Sequence, residues 1–235
     1  MGNHIFRFKK FELLQEKSAM KAGTDGVLLG AWCDVTNARK VLDIGAGTGL
    51  ISLMVAQRNE EASVTAVEIN EEAATEAAYN FNHSPWGNRL KVELCDFTQF
   101  QTEDKFDLIV SNPPFFLTGN SSADKGRAMA RHSSSLPFDQ LFAQAYRLLD
   151  DKGVFALITP DTIQTEVEFV AGEANFWLKK QVFVHTKENK APKRILWEFV
   201  KYSVEKECSD LNIRDKDNEF SEKYRILTSD FYLDF

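Results

Sequence analysis

The sequence has little cysteine and no long apolar segment. Its three cysteines, Cys33, Cys95 and Cys208, are an odd number, and their spacing matches no metal-ligand pattern. This argues against a disulfide framework or a cysteine-based metal centre, and we expect free thiols in a reducing compartment and no metal ion. No apolar run could cross a bilayer, and no apolar signal core is evident, so we expect a cytoplasmic protein with no membrane partner.

Basic residues are outnumbered by acidic ones, 28 to 35. The net charge is −7, which at first argues against a nucleic-acid partner, because phosphate binding is largely electrostatic. The excess of negative charge is local, however. Residues 41–110 carry 12 acidic and 4 basic side chains, a net charge of −8, whereas residues 1–40 carry a net charge of +3. The overall charge therefore does not exclude a nucleic-acid substrate.

The composition that remains is typical of a globular protein, with 43% hydrophobic and 27% charged residues. A chain of 235 residues can bury a core without help from a metal or a disulfide. We divide it into an N-terminal hairpin and helix extension (1–35), a central domain (36–203) and a C-terminal tail (204–235) that docks on the domain. Asp25 is predicted to cap a short apolar helix over 26–33.

Strands and helices alternate along the central domain. Short apolar runs predict strands at 40–44, 63–69, 90–94, 106–110 and 154–158. Helices are predicted at 50–58, 70–81 and 137–149, and a weaker one at 162–173. Two last strands, 177–185 and 195–202, are joined by a short loop and indicate an antiparallel pair at the sheet edge. The alternation predicts an α/β fold with a doubly wound, mostly parallel seven-stranded sheet.

A glycine-rich turn, Gly45-Ala46-Gly47-Thr48-Gly49, follows the first of these strands and Asp43. Glu68 stands near the end of the second strand, where a carboxylate can accept both ribose hydroxyls of an adenosine. NAD and S-adenosylmethionine both suit this arrangement. The spacing G-x-G-x-G differs from the dinucleotide fingerprint, and Asp43 would repel a pyrophosphate, so S-adenosylmethionine is preferred, with S-adenosylhomocysteine as product. The predicted cofactor contacts here are Asp43, Gly45, Gly47, Gly49, Glu68, Ile69, Asp96 (to the adenine amino group), Phe97 and Asn112.

The segment Asn112-Pro113-Pro114-Phe115 follows the fourth predicted strand. Two prolines stiffen the backbone and remove two N–H donors, which leaves the Asn112 side-chain oxygen and the Pro113 carbonyl as acceptors. Two acceptors can hold both hydrogens of an exocyclic amine, and Phe115 can stack on a base. The sequence thus predicts a catalytic site for methyl transfer to nitrogen, formed by Asn112, Pro113, Pro114 and Phe115.

A resemblance to known proteins extends beyond these motifs to seven segments. They are Lys21–Gly26, Leu28–Trp32, Gly49–Arg58, Ser84–Trp86, Ser111–Phe116, Arg127–His132 and Leu227–Leu233. With them the chain resembles, over nearly its whole length, the bacterial tRNA(Val) adenine-N6 methyltransferase family of the Rossmann-like class I methyltransferases. The resemblance implies methylation of the adenine at position 37, with Lys21, Thr24 and Asp25 closing over the methionine end of the cofactor. One departure is Phe115, where many amino-methyltransferases have Tyr.

Basic residues outside the acidic stretch are candidate contacts for the tRNA anticodon loop. They are Arg7, Lys9, Lys10, Arg127, Arg131, Lys193 and Arg194. Arg127 and Arg131 lie on a long polar loop between Leu117 and Leu136, a length typical of functional loops. We expect a monomer. The alternatives are a protein glutamine N5 or rRNA guanine N2 methyltransferase, a non-catalytic RNA-binding module and, least favoured, an NAD oxidoreductase.

Overall fold

The computed structural model describes residues 4–18, 21–114 and 136–234, and a large sheet forms their centre. In chain order the strands are β1 (Ile5–Arg7), β2 (Glu12–Leu14), β3 (Lys40–Ile44), β4 (Ser63–Glu68), β5 (Leu90–Leu94), β6 (Phe106–Ser111), β7 (Leu149–Pro160), β8 (Trp177–His185), β9 (Pro192–Val200) and β10 (Glu207–Asn212). The helices are α1 (Thr24–Trp32), α2 (Leu50–Arg58), α3 (Glu71–Asn82), α4 (Phe138–Leu148), α5 (Gln164–Glu173) and α6 (Glu222–Thr228).

The central sheet is doubly wound. Its strand order is β10-β8-β9-β7-β6-β3-β4-β5, so the chain adds β4 and β5 on one side of β3 and then β6 and β7 on the other. The strands from β7 to β5 are parallel to one another. The direction of winding reverses between β3 and β6, and ligands of such sheets bind beyond the carboxyl ends of the strands at that reversal.

Two hydrophobic clusters cover the two faces of the sheet. Along β6, Leu108 and Val110 belong to one cluster, whereas Ile109 belongs to the other, because successive side chains of a strand point to opposite faces. Helices α1 and α2 pack in the first cluster, and α4 and α5 in the second. Burial on both faces explains why the predicted strands are apolar throughout rather than alternating.

The sheet edge differs from the prediction. All seven predicted strands are present in the described residues, and β8 and β9 pair antiparallel as expected. The tail adds an eighth strand, β10, which runs parallel to β8 and forms the edge beyond it. Only Leu211 of β10 is buried. Backbone pairing, which leaves no mark in the apolar pattern, therefore produces this strand.

The N-terminal extension packs along α3 and against the tail. Strands β1 and β2 form an antiparallel hairpin, and the ring of Phe8 stacks on those of Phe11 and Tyr232, at centroid distances of 4.5 and 6.1 Å. The amide of Lys9 donates to the carbonyl of Phe231 at 2.8 Å. In the described parts of the chain, no helix has the length and apolar character that crossing a bilayer requires.

Candidate active site

The glycine-rich turn after β3 leaves open space at the reversal point of the sheet. Gly45 and Gly47 have φ angles of 70° and 56°, which side chains other than glycine rarely adopt. A Cβ atom added to either would meet nothing within 4 Å, so the backbone itself faces a cavity. Gly49 differs: its φ is 82°, and a Cβ there would overlap the ring of Phe81. Gly49 therefore lets the ring of Phe81 pack closely beneath the turn.

Glu68 ties the end of β4 to this turn. One oxygen of its carboxylate accepts from the Gly47 amide at 2.8 Å, and the other accepts from the Asn70 amide at 2.9 Å. Each carboxylate oxygen can accept more than one hydrogen bond, so both can still receive a ligand hydroxyl. Glu68 is buried, and the two amides compensate for part of the cost of burying its charge.

Asp96 begins a short 3₁₀ helix after β5. Its Oδ1 accepts from the amide and the hydroxyl of Thr98, at 2.9 and 2.8 Å, and these contacts set the direction of the carboxyl group. The amide of the preceding Cys95 donates to the carbonyl of Glu68 at 2.9 Å. The ends of β4 and β5 are thereby held side by side, with both acids on the same cavity.

Asp43 lies below the turn rather than on the cavity. Its side chain is fully buried, and Oδ2 accepts from the amide and hydroxyl of Ser52, at 3.1 and 2.7 Å. Oδ1 has no hydrogen-bond partner among the described residues. Burial, with the Glu68 charge as a smaller cause, raises the pKa of Asp43 from 3.8 to about 6. Asp43 therefore joins the end of β3 to the first turn of α2.

Asn112, Pro113 and Pro114 extend from the end of β6 into the same cavity. The hydroxyl of Ser111 donates to the carbonyl of Ile44 at 3.0 Å, which fixes the end of β6 against the end of β3. The Asn-Pro-Pro segment is thereby aligned beside the glycine-rich turn. Phe115, the fourth predicted catalytic residue, lies outside the described residues.

A cavity of about 410 Å³ joins these groups. The predicted residues that line it are Gly45, Gly47, Glu68, Ile69, Asp96, Phe97, Asn112, Pro113 and Pro114. Sequence reasoning missed Ser18, Asn70 and Gln140, which also line it. Ser18 belongs to the N-terminal extension, and no local pattern could have signalled its approach to a cavity whose other lining residues begin at Ile44. In the described residues no three His, Cys, Asp or Glu side chains group as metal ligands.

Lys21, Thr24 and Asp25 do not line the cavity. Lys21 and Thr24 are exposed. The prediction that Asp25 caps a helix is wrong: α1 begins earlier, Gly23 is its N-cap residue, and Asp25 lies in the first turn. There the Asp25 carboxylate accepts from Arg194 Nε at 2.7 Å, which ties α1 to the start of β9.

The candidate RNA contacts are dispersed. Arg7 pairs with Glu12 at 2.9 Å, and Lys9 Nζ donates to the carbonyl of Ser229 at 2.7 Å. Lys10 and Lys193 are exposed, whereas Arg194 is held by Asp25. The hairpin residue Phe11 contacts Trp86, four residues past the end of α3, so the hairpin cations lie toward the far end of that helix from the cavity. Arg127 and Arg131 lie outside the described residues.

Comparisons with known proteins agree with this architecture. Residues 23–180 match the model of the methyltransferase small domain family. The chain is 47% identical over 99% of both chains to a protein of Phocaeicola vulgatus, and 42% identical over 99% of both to one of Bacteroides thetaiotaomicron. Both relatives are named tRNA1(Val) (adenine(37)-N6)-methyltransferase.

Solved structures with low sequence identity share the fold. A protein of Agrobacterium tumefaciens described as a "predicted O-methyltransferase" superposes with a TM-score of 0.67, at 20% identity, covering 88% of this chain and 96% of its own. A "TehB-like SAM-dependent methyltransferase" of Corynebacterium glutamicum superposes with a TM-score of 0.52, at 18% identity, covering 77% and 89%. At these identities the likeness establishes the Rossmann-like class I fold alone.

Proposed function

The chain belongs to the family of tRNA1(Val) (adenine(37)-N6)-methyltransferases, and from this premise we propose that it methylates N6 of adenine 37 in tRNA1(Val). S-adenosylmethionine supplies the methyl group and leaves as S-adenosylhomocysteine. The N6 nitrogen gains the methyl group and then loses one proton to solvent. The single observation that carries the proposal is one cavity that joins Glu68 and Asp96 to Asn112 and Pro113.

The residues of the cavity suit an adenosyl cofactor. The oxygens of Glu68 accept the ribose hydroxyls, and Asp96 accepts from the adenine amino group, with Ile69 and Phe97 beside it. Gly45 and Gly47 let the backbone approach the ligand. Gly49 and Asp43 shape this turn from below. Resemblance to the family adds the proposal that Lys21, Thr24 and Asp25 close over the methionine end.

Asn112 and Pro113 orient the target amine. The Asn112 side-chain oxygen and the Pro113 carbonyl accept the two N6 hydrogens, which turns the nitrogen lone pair toward the cofactor side of the cavity. These acceptors also stabilise the positive charge that develops on nitrogen during methyl transfer. No general base is required, because the methylated amine loses its proton after the bond to carbon has formed. Pro114 stiffens the segment, and Phe115 stacks on the base.

The adenine reaches this cavity after it leaves its stack in the anticodon loop. We propose that Arg127, Arg131, Lys193 and Arg194 contact that loop, and that Arg7, Lys9 and Lys10 contact a more distant part of the tRNA. Because few phosphates would be contacted, binding is modest, and it weakens as the salt concentration rises. The proposed enzyme acts as a monomer in the cytoplasm.

Methyl transfer to tRNA that lacks the modification tests the proposal. Purified enzyme, S-adenosylmethionine and unmodified tRNA should yield N6-methyladenosine at position 37, detected by nucleoside analysis and mapping. Asn112→Ala should abolish the product even at saturating S-adenosylmethionine, because the amine loses an acceptor. Asn82→Ala, at the exposed end of α3, is the matched control and should stay fully active. Full activity of Asn112→Ala would refute the role given to Asn112.

A further inference from the structure

Helix α3 binds the segment Leu14–Ser18, here called the arm segment, whose last residue lines the cavity. The carboxylate of Glu76 accepts from three consecutive amides, those of Glu16 and Lys17 at 2.6 Å each and that of Ser18 at 2.9 Å. Glu76 is 4% exposed. Burying a carboxylate is costly unless hydrogen bonds compensate for its lost hydration. The three amides supply these bonds, so Glu76 holds the backbone of the arm segment at a fixed position relative to α3.

Asn80, one turn further along α3, makes a second connection. Its side chain accepts from the amide of Leu14 at 2.8 Å and donates to the carbonyl of Leu14 at 3.0 Å. The same amide group donates to the carbonyl of Thr48 at 2.9 Å, inside the glycine-rich turn. Asn80 is 2% exposed. One side chain thus connects the arm segment to the turn that faces the cavity.

The arm segment is also tied to the residues before α1. Gln15, which is buried, accepts from the amide of Ala22 at 2.7 Å through its side-chain oxygen. Ser18, at the end of the arm segment, therefore lies in the cavity wall alongside Asn70 and Ala73 at the N-terminus of α3. Helix α3 therefore contributes to the wall directly at its start and indirectly through Glu76.

We infer that Glu76 and Asn80 are positioning residues that hold the arm segment as a wall of the cofactor cavity. The inference rests on the proposed function, since it assigns the cavity to S-adenosylmethionine. Neither residue lines the cavity, and α3 contacts β4 and β5, which lie on the other side of β3 from β6 and Asn112. Their loss should loosen the wall without moving the acceptors of the target amine. Cofactor affinity should therefore fall while the rate at saturating cofactor is kept.

Glu76→Gln is the direct test. The glutamine side chain keeps the shape of glutamate, but its NH₂ group replaces one accepting oxygen and faces a backbone N–H, which is also a donor. We expect S-adenosylhomocysteine, titrated by calorimetry, to bind about tenfold more weakly, the equivalent of one charge-assisted hydrogen bond. The KM for S-adenosylmethionine should rise by a similar factor, whereas kcat changes little. Hydrogen exchange at the amides of Glu16, Lys17 and Ser18 should become faster.

Glu72→Gln is the matched control, since Glu72 is exposed on the same helix and the change of charge is identical. It should leave both the affinity and the exchange unchanged. Gln15→Ala provides a second variant that leaves α3 intact, for use if Glu76→Gln fails to fold, and it should weaken binding in the same direction.

Three results separate the outcomes. Wild-type affinity in Glu76→Gln or Gln15→Ala, with faster exchange in the arm segment, would overturn the positioning role and leave the proposed function standing. A loss of kcat with an unchanged KM would also overturn it. A wild-type protein that does not bind S-adenosylhomocysteine would refute the proposed function, and this inference with it.

Discussion

Asp43 should make the protein less stable as the pH rises. The buried side chain has one oxygen without a partner among the described residues, and burial raises its pKa from 3.8 to about 6. Between these two values the folded protein holds a proton that the unfolded chain has released. Stability from this group is therefore fully present below pH 3.8 and is lost as the pH rises through about 6.

The size of this effect follows from the two pKa values. A rise from 3.8 to about 6 corresponds to about 3 kcal/mol of lost stability once the group is ionised. Asp43→Asn removes the ionisation and keeps an oxygen for the amide and hydroxyl of Ser52. The variant should therefore gain stability relative to the wild type by up to about 3 kcal/mol between pH 4 and pH 7.

Urea unfolding at several pH values between about 4 and 7, within the window of the two pKa values, measures this gain. Contributions from other carboxylates are common to both proteins and cancel in the difference. Asp234→Asn, at an exposed position, is the control and should show a constant difference. A stability difference between Asp43→Asn and wild type that does not change with pH would refute the reasoning.

Two further predictions concern the same turn. Gly49→Ala should destabilise the protein by about 2–3 kcal/mol in urea unfolding, because it combines a positive φ with overlap against Phe81. Gly172→Ala, where a Cβ meets nothing within 4 Å in α5, should instead stabilise by up to about 1 kcal/mol, and equal effects at both sites would contradict this. Glu68→Gln should weaken S-adenosylhomocysteine binding at least about tenfold by calorimetry; undiminished binding would exclude Glu68 as the ribose acceptor.

Most of the central sheet was predictable, because strands buried on both faces leave an apolar signal in the sequence. The helix over Leu50–Arg58 was predicted with the bounds that the structure has. The strand Glu207–Asn212 was not predictable in this way, since a single buried side chain, Leu211, gives no period. The start of α1 was also missed: Asp25 has the residue type of a cap, but its carboxylate is engaged by Arg194.

The candidate site was predictable where it depends on strand ends. Glu68, Asp96 and Asn112 each follow a recognisable strand, and parallel strands bring their carboxyl ends together. Ser18 has no such signal, because its place depends on backbone amides bound by Glu76, 58 residues further along the chain. The charge of Arg194 makes it a candidate RNA contact, but local sequence gives no sign that Asp25, 169 residues away, binds its guanidinium.

The hairpin that leads into the arm segment rests on residues made late in synthesis. Phe8 stacks on Tyr232, and the amide of Lys9 donates to the carbonyl of Phe231. A ribosome translates Phe231 and Tyr232 after every strand of the sheet, so a nascent chain can complete the sheet before its hairpin finds this support. This order is expected because parts of a chain that are complete can fold while later residues are still being synthesised. The hairpin strands should therefore dock last, on an arm segment that Glu76 and Asn80 of α3 can already hold.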